Sequence, residues 1–112
     1  MKTSSCKAKG RTLQNLLRVK LLQTFPQLEP DDCLTSIMGE SGTDIKLSPA
    51  GKKIIPYSFE CKNQEKLSLY KALQQAEDNT KPNTEPVLVF KRNRSKTYAV
   101  VELDTFLALI KK

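Results

Sequence analysis

At 112 residues, 38% hydrophobic and 28% charged, the chain is sized for one α/β or α+β domain with a single core. No apolar run nears the ~18 residues of a membrane span, and no signal-type apolar stretch follows Lys2, Lys7 and Lys9, so the expectation is a cytoplasmic protein without membrane contact. Nineteen Lys and Arg against twelve Asp and Glu leave +7, and histidine is absent, which excludes histidine-based nucleases, the Ser-His-Asp triad and histidine metal ligands.

The basic residues cluster. Six of them precede the first acid, Glu29, and Lys91, Arg92, Arg94 and Lys96 form a second group. Such a chain fits a polyanionic partner, above all nucleic acid. Cys6, Cys33 and Cys61 are widely spaced and include no CxxC pair, so neither a disulfide framework nor a zinc site is indicated.

Residues 1–9 read as a basic flexible arm, and residues 10–112 as a single domain. Leu13, Leu16, Leu17, Leu21 and Leu22, with Val19 at the margin, make an apolar stripe that predicts a helix over 11–24, leaving Arg11, Gln14 and Arg18 to point elsewhere. Phe25-Pro26 ends it. Two short strands follow, over Cys33–Ile37 and Thr43–Leu47, joined by the Gly-containing loop of residues 38–42. Ser48-Pro49-Ala50-Gly51 reads as a turn.

Residues 56–62 predict a third strand, with Glu60 and Lys62 on one face and Tyr57, Phe59 and Cys61 on the other. A second helix over 66–79 has Leu69, Tyr70, Leu73 and Ala76 as its inner stripe. Strands at Val87–Phe90 and Tyr98–Val101 flank the basic turn. Asp104 is the expected N-cap of a last helix that buries Phe106, Leu107 and Ile110. The order is αβββαββα, a mixed sheet flanked by helices.

One constellation carries chemistry. A short connection makes the second and third strands neighbours. Asp44 and Glu60 then stand side by side, with Lys62 one pleat along. Two carboxylates and the Cys61 carbonyl make a hard oxygen cage suited to Mg²⁺, with Mn²⁺ as a substitute. Such a metal polarises a phosphate and acidifies water, and Lys62 is placed to orient the water or offset developing charge. E-x-K alone is most often a solvated strand face. Here an Asp precedes it on an adjacent strand, an apolar strand carries it, and basic segments flank it.

Asp44 with Glu60-Cys61-Lys62 resembles the PD-(D/E)XK nuclease signature, and the element order resembles that fold's αβββαβ core. Over residues 7–102 the chain resembles small archaeal and phage Holliday junction resolvases, and phage and prophage endonucleases of the same superfamily look closer still over Gly42 to Glu77. Lys9-Gly10 resembles the basic pair before the first helix, and Ser41-Gly42 the loop leading to the Asp. Phe59-Glu60-Cys61-Lys62 matches the third strand, and Pro86-Val87-Leu88-Val89-Phe90 the strand after the second helix.

The resemblance implies a restriction-endonuclease-like α/β fold and a Mg²⁺-dependent DNA endonuclease acting on DNA, branched DNA included, as a homodimer and without a small-molecule cofactor. It implies Asp44, Glu60, Lys62 and Gln14 as the catalytic set and Asp44, Glu60 and Cys61 around the metal. Gln14 departs from the family, which places a metal-binding Glu there, and Glu40 is a candidate replacement for that charge. Lys7, Lys9, Arg11, Ser41, Lys91, Arg92, Arg94 and Lys96 are the DNA-binding candidates. Gln74, Gln75 and Glu77 read as solvent-facing, and Leu103, Phe106 and Leu109 as candidates for a dimer face. The rival reading is a non-catalytic nucleic-acid-binding module on the same fold, and a third is an accessory protein with incidental basic surfaces.

Overall fold

The computed structural model describes residues 3–37 and 42–111. Glu40 and Ser41 lie outside them. The first helix, α1, spans Thr3–Thr24 and stops at Phe25-Pro26 as the sequence predicts. Its start is a correction: the expected arm from Thr3 onward is helical. Nothing between Thr3 and Lys9 breaks a helix, and Gly10 costs only about 1 kcal/mol within one.

A 3-10 turn, Pro30–Asp32, leads into β1, Cys33–Thr35, which pairs antiparallel with β2, Ile45–Leu47. The expected turn at residues 48–51 is instead the start of a short helix, α2, Pro49–Ile54. Ser48 is its N-cap, accepting the Gly51 N–H at 2.9 Å, and Pro49 takes the first helical position, where no N–H is needed. Next come β3, Tyr57–Asn63; α3, Leu69–Asp78; β4, Glu85–Lys91; β5, Tyr98–Val100; and α4, Leu103–Ile110. The result is an α/β fold with a mixed sheet: β3 and β4 run parallel through the α3 crossover, and β4 and β5 run antiparallel. The β1–β2 hairpin reaches the free edge of β3 through the Asp44 N–H, which donates to the Phe59 carbonyl at 2.9 Å.

Strand alternation divides the sheet into two faces. Phe59, Cys61, Val87 and Val89 form one core with Leu13 and Leu21 of α1 and with Cys33, Ile45 and Ile55. The other face carries Ser58, Glu60 and Leu88 beneath α3. Ala72 and Ala76 are the buried residues of α3, while Leu69 is exposed and Tyr70 is 84% exposed, which corrects the expected inner stripe. Just beyond the helix, the Lys81 N–H donates to Ser58 Oγ at 3.0 Å, and Ser58 Oγ lies 2.6 Å from Thr84 Oγ1. These bonds hold the C-terminal end of α3 close to the sheet, where only alanine-sized side chains fit.

Arg18 also differs from expectation. Its guanidinium turns inward, donating to the carbonyls of Cys33 (2.6 Å) and Pro30 (2.9 Å) and fastening α1 to the hairpin. In α4, Glu102 rather than Asp104 is the N-cap, accepting the Thr105 N–H, and Phe106, Leu107 and Ile110 are exposed instead of buried. The core closes on α1 and α3 and leaves α4 no face to cover.

Asp32, Ser48 and Gly51 lock α2 in place. Ser48 Oγ donates to Asp32 Oδ1 at 2.7 Å while accepting the Gly51 N–H. A β-carbon on Gly51 would stand 2.8 Å from the Asp32 carbonyl oxygen, too close for the backbone to stay where it is. Gly51→Ala should therefore destabilise the fold by roughly 1–3 kcal/mol through overpacking. Urea denaturation with an unchanged midpoint would mean that α2 is free to shift.

Candidate active site

Asp44 precedes β2 and does the work of a strand pair at the hairpin–sheet junction. Its N–H bonds Phe59 and its carbonyl accepts the Ser36 N–H at 3.0 Å. Its Oδ2 accepts the Cys61 N–H at 2.6 Å. One carboxylate oxygen is thus fixed by the backbone of β3. Gly42, two residues before, has φ +102°, a left-handed conformation suited to glycine, and the chain turns there into the junction.

Glu60 is 4% exposed on the α3 face. Its Oε1 accepts from Asn79 Nδ2 at 3.3 Å, and its Oε2 lies 3.9 Å from Lys62 Nζ. Period two therefore puts Glu60 and Lys62 on one face, as the sequence predicts, and sends the Cys61 side chain into the core. Because Phe59 and Cys61 turn their backbone groups toward Asp44 while the Glu60 backbone faces β4, the Cys61 carbonyl shares the Asp44 edge. Burial among apolar neighbours pushes the Cys61 thiol up, so it stays neutral.

The two carboxyl groups line the same cleft, near enough for the charge of Asp44 to act on Glu60. Burial raises Asp44 above the usual carboxylate range, opposed by the Cys61 N–H and Lys62. Burial likewise raises Glu60, reinforced by the charge of Asp44 and opposed by Asn79 and Lys62. A pair that resists double ionisation favours a cation between its members. Among the described residues no three or more His, Cys, Asp or Glu side chains group to hold a metal. The oxygen groups that meet at the junction are the two carboxylates and the Cys61 carbonyl.

Both carboxylates open into a cleft of about 500 Å³ whose other wall is α3, through Lys71, Gln74, Gln75, Asp78 and Asn79. Gln74 and Gln75 are exposed, as expected, and both also line this cleft. Asn79 and Lys71 were missed altogether. The signal was present as a polar stripe at 71, 75, 78 and 79, beside the Ala72/Ala76 stripe. Lys81 adds a cation, its Nζ 3.4 Å from where a β-carbon on Gly42 would stand. Gln14, half-buried on α1, is not among the lining residues, and α1 packs on the Cys61 face, opposite Glu60.

The basic candidates gather at one end of the sheet. Lys9 pairs with Glu65 (3.8 Å), and its carbonyl accepts from Asn63 Nδ2 (3.0 Å). Glu65 Oε2 also accepts the Asn93 N–H at 2.6 Å, tying the turn that carries Arg92, Arg94 and Lys96 to the start of α1. Lys7 and Arg11 are exposed on α1, and Lys91 is half-buried at the end of β4.

No helix among the described residues is long and apolar enough to cross a membrane. Comparison with protein-family models, with curated proteins and with solved structures returns no match.

The raised carboxyls have a consequence for stability. In the native state the pair holds protons that the unfolded chain releases nearer the ordinary values of 3.8 and 4.5. Stability present below those values is therefore lost as pH rises through the native pair's titration. Thermal melts in EDTA should show Glu60→Gln melting above the unsubstituted protein at about pH 7.5, with the gap closing toward about pH 4. Equal melting temperatures at both pH values would mean that the carboxylates do not strain one another.

Proposed function

We propose that this chain is a divalent-metal-dependent DNA endonuclease with a restriction-endonuclease-like, PD-(D/E)XK-type fold. The observation that carries the reading is the junction itself: two desolvated carboxylates, Asp44 just before β2 and Glu60 on β3, open into one cleft, with the Lys62 ammonium 3.9 Å from Glu60, in a chain of net charge +7. Buried like charges cost stability unless paired, and a structural protein gains nothing from such a pair.

Asp44, Glu60 and the Cys61 carbonyl would hold Mg²⁺ or Mn²⁺. When bound, the ion supplies Lewis-acid polarisation of the phosphate and acidification of water. The chain's own groups do the positioning. The Cys61 N–H fixes Asp44 Oδ2, and Asn79 fixes Glu60 Oε1, so each carboxylate offers its other oxygen in a set direction. Lys62 offsets charge on the phosphate oxygens while a water oxygen bonds phosphorus and the bond from phosphorus to the leaving sugar oxygen breaks. Lys71 and Lys81, at the cleft, are placed to hold flanking phosphates.

Asp44→Asn and Glu60→Gln should each abolish Mg²⁺-dependent nicking yet keep DNA affinity, since phosphate contacts come from Lys and Arg. Lys62→Met should slow turnover by ~10²-fold or more. Gel assays on a labelled four-way junction, linear duplex and single strand measure all of this, and nicking by either carboxylate variant would sink the proposal.

A resolvase-like reaction nicks two strands and needs two sites. The exposed Leu103, Phe106, Leu107, Leu109 and Ile110 of α4 make that helix the proposed dimer face. Light scattering should find a dimer, and Leu103→Lys with Ile110→Lys should convert it to a monomer. A monomer before substitution removes α4 from that role.

A further inference from the structure

Register carries the Glu60 and Lys62 face across the sheet. Lys62 of β3 is the partner of Phe90 on β4, and Phe90 is the partner of Tyr98 on β5. Lys62, Phe90 and Tyr98 therefore stand abreast on one face, about 4.8 Å apart per strand. The two rings lie with centroids 6.0 Å apart and planes tilted by 31°. Phe90 is half-buried, whereas Tyr98 is 54% exposed, although an aromatic ring of that size is usually covered.

These rings line a cleft of about 360 Å³ together with Gln64, Glu65, Leu67, Lys91, Arg92 and Ser95, the Glu65 carboxylate being taken up by Lys9 and the Asn93 N–H. Its rim is held in shape. Ser95 Oγ accepts the Arg92 N–H at 3.0 Å, the Ser95 N–H donates to the Arg92 carbonyl at 3.2 Å, and Asn93 is tied to Glu65. An aromatic floor with the Arg92 guanidinium at its lip matches the needs of one nucleotide: a π surface for the base and positive charge for its phosphate. A protein partner of apolar character has no use for the guanidinium, and a duplex cannot offer the base.

The geometry points to this cleft as a binding pocket for an unpaired nucleotide, its base stacked on Tyr98 and its phosphate met by Arg92. Resting on the nuclease reading, the pocket places that nucleotide two strands away from Lys62, about 10 Å by the strand spacing and so next to the scissile phosphate. The preferred substrate is then DNA with unpaired bases next to the cut, as at a branch, flap or gap.

The test is equilibrium binding in EDTA of a fluorescent oligothymidylate and of a blunt duplex, to the unsubstituted protein and to Tyr98→Phe and Tyr98→Leu. Leucine keeps apolar bulk without a π face, and a melting curve confirms that each variant is folded. Tyr98→Phe should bind the oligothymidylate as the original does. Tyr98→Leu should bind it about 10-fold or more weakly, the scale of one lost base stack, with duplex affinity unchanged. Leu and Phe variants of equal affinity, an equal loss on duplex, or no binding of the oligothymidylate at all would overturn the pocket. Nuclease activity is read separately, with Mg²⁺ and the Glu60→Gln control. A protein that shows the Tyr98 effect but never cuts refutes the nuclease while leaving the pocket standing.

Discussion

The contact between Asp44 and the edge of β3 is the constraint on which the site depends. The β1–β2 hairpin and the three-stranded sheet are separate ladders, and Asp44 joins them with its N–H, its carbonyl and one carboxylate oxygen. The same residue that closes the sheet is thereby delivered, desolvated, next to Glu60. Structure and chemistry share one side chain, so the carboxylate cannot swing away to relieve the crowding.

Much of the site was legible because strand periodicity is strict. Once Pro56–Lys62 reads as a strand, Glu60 and Lys62 must share a face and Cys61 must oppose them, and a short link brings Asp44 alongside. Helical faces were harder. Leu69 and Tyr70 offer far more apolar surface than Ala72 and Ala76, yet the Ser58–Lys81–Thr84 bonds draw α3 so near the sheet that the small residues turn inward. That rotation also turns Lys71, Gln75 and Asn79 to the carboxylates. Such information sits in contacts more than twenty residues apart, which a local pattern does not contain. The same holds for Arg18, whose partners lie on the next two elements, and for α4, whose apolar stripe promised a core that other helices had already closed.

The charge distribution has two scales. Summed over the chain the charge is +7, and basic residues collect at the end where Lys9 and the β4–β5 turn are linked through Glu65. At the cleft, Asp44, Glu60 and Asp78 stand together beside Lys71, and the C-terminal end of α3 adds the negative end of a helix dipole.

The outer strands of the fold, β1 and β5, are three residues each. An exposed strand edge is a row of unpaired backbone groups that can template further strands, and its hazard grows with length and flatness. Here Arg18 already occupies the Cys33 carbonyl, and Arg94 and Lys96 stand just before β5. A basic protein crowded along a polyanion reaches high local concentrations, the condition under which edge-to-edge stacking into cross-β aggregates begins. Short, cation-guarded edges give a second copy of this chain little backbone to pair with, so its own sheet is a poor template for polymerisation.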